Sequence, residues 1–207
     1  MRLYQFGEGE KLVEFNAVSY EERSLHSWLE HNPHVLAVEV PLLIIGREVA
    51  TEAGNIDLLA VNTRGDLLIL ELKHGHSPRE AIAQALDYLE AVESWDVERL
   101  ESVAGDYFRR TGSDWKSIEE AVRHLATEYG DTEDEASGDQ PITLGEREIA
   151  IVAEDIPLRL WRMAYMLNRK CFSVRCFESC TYTQQGMWLA SVTAVVGPED
   201  VQPPRPG

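Results

Sequence analysis

Two short segments constrain this chain more than anything else in it: Gly54-Asn55-Ile56-Asp57 and Glu71-Leu72-Lys73. They set two carboxylates and one amine into otherwise apolar runs. Leu58, Leu59, Ala60 and Val61 follow the first acid, and Leu67, Leu68, Ile69 and Leu70 precede the second. Charges that interrupt apolar strands carry a desolvation cost unless they bind something. Between the runs lies Asn62-Thr63-Arg64-Gly65-Asp66, a polar, Gly-containing loop that reads as a hairpin turn.

The spacing fixes a register. About a turn centred on Arg64, antiparallel pairing sets position 57 opposite position 71. Side chains alternate along a strand. Asp57, Glu71 and Lys73 therefore fall together at one end of one face, and a slip of one residue would scatter them. Two carboxylates this close repel by about 4 kcal/mol at 4 Å and an effective dielectric of 20. A divalent cation between them reverses the sign. Mg²⁺ takes oxygen ligands, typically one or two carboxylates with waters and a phosphate. Lys73 would orient an attacking water, accept its proton or neutralise a phosphate. Two readings stand on these residues alone: a metal-supported site for phosphodiester hydrolysis, or a buried ion pair that only holds the hairpin.

The acid, spacer, acid-X-Lys pattern of Asp57 and Glu71-Leu72-Lys73 resembles the PD-(D/E)XK nuclease superfamily, most closely the C-terminal nuclease domain of NucS-like endonucleases. Two flanking segments carry the resemblance further. Tyr20-Glu21-Glu22-Arg23-Ser24-Leu25 and the following Trp28-Leu29-Glu30-His31-Asn32-Pro33 are similar to the family's first helix, with Glu22 at the position that reaches the metal. Gln84 and Tyr88 match a Gln-x-x-x-Tyr on the helix after the motif. The resemblance implies a Mg²⁺- or Mn²⁺-dependent DNA endonuclease. Its metal ligands would be Glu22, Asp57, Glu71 and the carbonyl of Leu72. Lys73 and Gln84 would act on water or phosphate, and Tyr88 would lie at the substrate. The implied fold is α/β, a mixed β-sheet flanked by helices with an α-β-β-β-α-β core. Ile56 precedes the first acid, where the superfamily pattern has Pro, and His74-Gly75-His76 follow Lys73, where relatives often carry a basic residue. About twenty residues precede Glu22, so the N-terminal DNA-binding and dimerisation domain of such proteins is expected to be absent.

Periodicity supplies the remaining elements. A helix is expected over residues 20–31, strand material over 35–40 and 43–51, the motif hairpin over 55–61 and 67–73, and a helix opening at a Ser77-Pro78-Arg79-Glu80 capping box and running to about 93. Two or three short helices fill 95–129, within an insertion of about 95–145. Residues 149–153 read as a strand, 158–170 as a helix, and 172–183 and 187–196 as two closing strands. This closing unit would place a parallel strand beside the motif strand. The whole reads as one domain over 1–198, with 199–207 a disordered tail. On the helix from Leu158, Leu160, Trp161, Ala164 and Leu167 form the apolar side. Arg159, Arg162, Arg169 and Lys170 lie opposite, as a solvated face or a phosphate contact. The five Trp residues read as structural. Cys171, Cys176 and Cys180 are odd in number, lack a nearby His and read as core thiols. Arg47 and His74 are candidate DNA contacts, with solvated strand and loop positions the plainer readings.

Charge sits awkwardly with DNA. Asp and Glu number 36 against 19 Lys and Arg, a formal net charge of −17, and DNA affinity rests largely on cations. Six acids fall between Glu128 and Asp139, in what reads as a flexible loop, yet −11 remains without them. The charge favours an alternative from another class: a catalytically silent module of the same fold that docks a protein partner. A nuclease subunit of a restriction or defence system, relying on a DNA-binding protein partner, is a third reading. A homodimer follows by analogy, because cutting two strands needs two sites. No apolar run approaches a membrane span and no signal peptide is visible, so a cytoplasmic protein without a membrane partner is expected.

Overall fold

The motif hairpin folds in the register its turn dictates. β5 (Gly54–Asn62) and β6 (Leu67–His76) pair antiparallel with Leu58 opposite Leu70 and Val61 opposite Leu67. Asn62 stitches the turn: its Oδ1 accepts the N–H groups of Arg64 and Asp66 at 2.8 and 2.9 Å. Gly65 takes a positive φ of 86°, a conformation that glycine adopts without steric cost. The computed structural model describes residues 4–6, 12–19, 22–36, 40–76, 80–129, 145–184 and 186–199.

Around the hairpin the elements run α1 (Glu22–His31), β4 (Leu42–Thr51), β5, β6, α2 (Glu80–Glu93), α3 (Val97–Thr111), α4 (Ile118–Glu128), β7 (Arg147–Asp155), α5 (Leu158–Asn168), β8 (Ser173–Gln184) and β9 (Met187–Val196). Short strands β1 (Tyr4–Phe6), β2 (Leu12–Glu14) and β3 (Asn16–Val18) precede α1. β1 and β2 pair with each other; β3 joins a seven-stranded sheet of order β3-β8-β7-β6-β5-β4, with β9 on the other edge of β8. β6, β7 and β8 run parallel, and the other neighbours run antiparallel. β7 lies beside the motif strand, with Glu71 opposite Ile151 and Lys73 opposite Ala153. This is the α/β mixed sheet flanked by helices that the sequence implies, with the α-β-β-β-α-β order preserved.

Alternation assigns the layers. Ile149, Ile151, Ala153, Val174 and Cys176 pack with Ala81, Ile82 and Ala85 of α2 and Leu160, Trp161 and Ala164 of α5. The intervening residues Leu70, Leu72, Ala150 and Val152 cluster with Leu25 and Leu29 of α1, so α1 covers the other face. α3 and α4 pack at β4. Each is capped by a side chain, α3 by Asp96 accepting from Arg99 N–H and α4 by Ser117 accepting from Glu120 N–H.

Several expectations need correction. The segment read as strand from residue 35 begins instead as a 3-10 turn over Pro33–Leu36, a conformation that Asn32-Pro33 favours. The motif strand continues past Lys73 to His76, so His74 is a strand residue and not a loop residue. Only Cys176 is a core thiol, and burial pushes it up to about 12; Cys171 is exposed and Cys180 half-buried. Trp188 is 63 % exposed on the outermost strand and fills no core position. The three N-terminal strands were not expected, because three-residue strands carry too little alternation to register. The Ser77-Pro78-Arg79 cap, the acidic segment 130–139, the tail 200–207 and the side chains of Glu22 and His76 lie outside the described residues.

Candidate active site

The β5–β6 ladder stops at Leu58 and Leu70, one residue short of the two acids. Asp57 and Glu71 keep the 57-to-71 register but are not a ladder pair. The strands part at this point, and the Asp57 side chain takes the place of the missing backbone acceptor. Its Oδ2 accepts the Leu72 N–H at 2.7 Å. The acid therefore completes the sheet where the ladder ends. Its side chain keeps 19 % of its surface accessible.

Glu71 is completely buried. Its carboxylate forms an ion pair with Lys73 Nζ, two residues along on the same side of β6. Leu72, between them, is also fully buried and points into the α1 face. α2 closes the site from the other side. Tyr88 is 2 % exposed, and its hydroxyl accepts a 2.7 Å hydrogen bond from Gln84 Nε2, one turn away. Burial raises the Tyr88 hydroxyl above its ordinary value, and the nearby charges of Glu71 and Asp57 raise it further, while Gln84 and Lys73 act in the opposite sense. That balance places Asp57, Glu71, Lys73, Gln84 and Tyr88 in one electrostatic neighbourhood.

Gly54 has a structural reason to open the first motif. Its φ is 130°, and a Cβ there would sit 3.2 Å from the Tyr88 hydroxyl. The glycine lets the aromatic ring lie against the β5 backbone beside Asp57.

His26 was missed in the sequence. It lies on α1, 6 % exposed, with Nε2 at 3.9 Å from Asp57 Oδ1. The available signal was its spacing: His26 lies four residues into the helix that begins at Glu22, about one turn. Glu22 is the first residue of α1. The helix thus approaches Asp57 from the side opposite α2.

Two other candidates sit elsewhere. His74 Nε2 is 3.0 Å from Ser19 Oγ, which donates a 2.7 Å bond to Glu154 Oε1. This places His74 at the entry to α1, on the strand face opposite Lys73. Arg47 Nη1 is 2.5 Å from Glu30 Oε2, and Tyr107 donates to the other oxygen of Glu30 at 3.0 Å. Its guanidinium ties β4 to α1.

The donor chemistry suits a hard divalent cation. Asp57 and Glu71 offer carboxylate oxygens, and Leu72 adds a backbone carbonyl between them, a set of the kind Mg²⁺ uses. Among the described residues, no group of three or more His, Cys, Asp and Glu side chains is arranged to hold a metal.

Residues 21–109 match the endonuclease NucS C-terminal domain family. The matched span contains Asp57, Glu71, Lys73, Gln84, Tyr88 and His26. The NucS-like resemblance read from the motifs therefore holds over this part of the chain. No curated protein matches the chain. Two solved structures do. One is described as a repair endonuclease from Pyrococcus abyssi: 17 % identity, TM-score 0.40, covering 81 % of this chain and 52 % of that one. The other is described as an EndoMS–dsDNA2 complex: 17 % identity, TM-score 0.43, covering 86 % of this chain and 64 % of its own. The chain thus spans between about half and two thirds of the length of these two solved chains.

Proposed function

We propose that this chain is a divalent-metal-dependent DNA endonuclease that hydrolyses phosphodiester bonds. The observation that carries the reading is the pair of acids at the opening of the β5–β6 ladder, with Lys73 against Glu71 and Asp57 bonded to Leu72 N–H. The match of this segment to the NucS C-terminal domain family supports a nuclease-related role in DNA repair.

Asp57, Glu71, the Leu72 carbonyl and Glu22 would hold Mg²⁺ or Mn²⁺. The cation would offset charge at the scissile phosphate and lower the cost of forming the nucleophile. The protein's own groups do the rest. Burial of Glu71 strengthens every interaction it makes, because little water screens it. Lys73 orients the attacking water and, when neutral, accepts its proton. Its stem is held by the sheet, so the amine arrives in a fixed position. Gln84 and Tyr88 form one hydrogen-bonded unit, through which Gln84 is aimed at water or phosphate. DNA is the expected partner. A homodimer or a DNA-binding protein partner would supply whatever surface the domain lacks.

The test is cleavage of plasmid, single-stranded, flap and mismatch DNAs with Mg²⁺ or Mn²⁺, beside Lys73→Ala. Metal-dependent cutting that disappears in Lys73→Ala is the expected result. Absence of both cutting and calorimetric metal binding would reject the reading. The net charge of −17 would then favour the alternative, an acidic docking module of the same fold.

A further inference from the structure

α5 carries a stripe that the fold leaves unused. Arg159, Arg162, Arg169 and Lys170 are all exposed, and Met166 lies among them, 57 % exposed. Steps of three and four residues put them along one side of the helix and its C-terminal turn. The stripe is about 16 Å long at 1.5 Å per residue. The opposite side is committed to the core through Leu160, Trp161 and Ala164, and Trp161 Nε1 donates to the Val195 carbonyl at 2.6 Å.

The rest of the chain uses its cations differently. Among the described residues Arg47, Lys73, Arg109, Arg123, Arg147 and Arg175 each pair with an acid. Arg99 and Arg110 lie over the rings of Trp95 and Tyr107. Six described Lys and Arg side chains remain, Arg64, Lys116 and the four of α5, with no ion pair among the described residues. In a chain of net charge −17, concentrating four of six on one helix face is a specific arrangement. It also opposes helix stability in part. Arg159 stands in the first turn, where the helix dipole disfavours a cation, and Arg159 and Arg162 are like charges one turn apart.

The location fits the site. α5 follows β7 after Ile156-Pro157, and β7 runs parallel to β6, so α5 begins at the sheet end where Lys73 lies. α5 also lies on the same sheet face as α2, which carries Gln84 and Tyr88. We propose that the α5 stripe is a contact surface for the phosphate backbone of duplex DNA, feeding the site described above; the inference rests on the nuclease reading. Charge complementarity selects the occupant. At physiological salt a charge is felt over about 8 Å, so acids farther than that from the stripe do little to its local field.

The experiment is duplex binding by the full chain in metal-free buffer, followed as log K against log salt. Replacing Arg159 and Arg162 together by Ala, or Arg169 and Lys170 together by Ala, should lower the slope by about 2 each, because each cation releases roughly one counterion. Lys116→Ala should leave the slope unchanged. Circular dichroism confirms that the variants are folded. The stripe is overturned if both double variants keep the wild-type slope and affinity, or if the wild-type chain shows no salt-dependent binding. It is also overturned if phosphatidylserine vesicles outcompete the duplex, which would make it a membrane contact. Cleavage decides the other question separately. Metal-dependent cutting with stripe-independent binding would leave the nuclease standing without this surface. Stripe-dependent binding by a chain that neither cuts nor binds the metal would keep the surface and reject the nuclease.

Discussion

Asp57 serves two roles. It belongs to the motif that suggests hydrolysis, and its Oδ2 is the acceptor for a backbone N–H that the parted strands leave behind. The two roles separate by substitution. Asp57→Asn keeps a side-chain oxygen for Leu72 but removes the charge. We expect it to abolish cleavage with a urea midpoint close to wild type. Asp57→Ala leaves the Leu72 N–H without that acceptor, and should cost about 1–3 kcal/mol in addition to the loss of activity. Equal stability for the two variants would show that water replaces the carboxylate. A single sequence made Asp57, Glu71 and Lys73 legible because strand alternation and a two-sided turn fix faces without any other information. It hid His26, whose contact with Asp57 depends on how α1 lies across the sheet, and tertiary packing decides that.

At the scale of elements, the hairpin and helix α2 are held in register by an absence of side chain. Gly54 sits at φ 130° with its missing Cβ against the Tyr88 hydroxyl. Gly54→Ala should destabilise the protein by about 1–3 kcal/mol, through backbone strain and displacement of the ring. Since Tyr88 accepts from Gln84, cleavage should fall further than urea stability alone accounts for. A neutral Gly54→Ala would mean that β5 relaxes there freely. The strongly periodic elements, β5, β6, α2 and α5, were readable from their apolar spacing. β3 was not, since its pairing with Thr181–Thr183 of β8 is a long-range contact that no local pattern encodes. The 3-10 turn at Pro33–Leu36 likewise follows from proline geometry overriding an apolar run that read as strand.

For the whole molecule, charge is the dominant fact. Thirty-six acids against nineteen Lys and Arg leave a net −17, and such an excess strains the compact state by self-repulsion. Raising NaCl should therefore raise the melting temperature over the range where exposed charges become screened. A fall instead would show that ion pairs such as Arg175 with Glu148 and Glu199 outweigh the repulsion. Helical spacing alone gathers Arg159, Arg162, Arg169 and Lys170 on one face of α5, but that they find no ion pair among the described residues is not legible, because pairing depends on which acids the fold brings near. The parted strands have one more consequence. Protection of the Leu72 amide hydrogen depends on a side-chain oxygen rather than on a neighbouring strand. Deuterium uptake at that single amide thus reports on Asp57. Any cation that recruits Asp57 Oδ2 would register there as faster exchange, with no DNA and no turnover required.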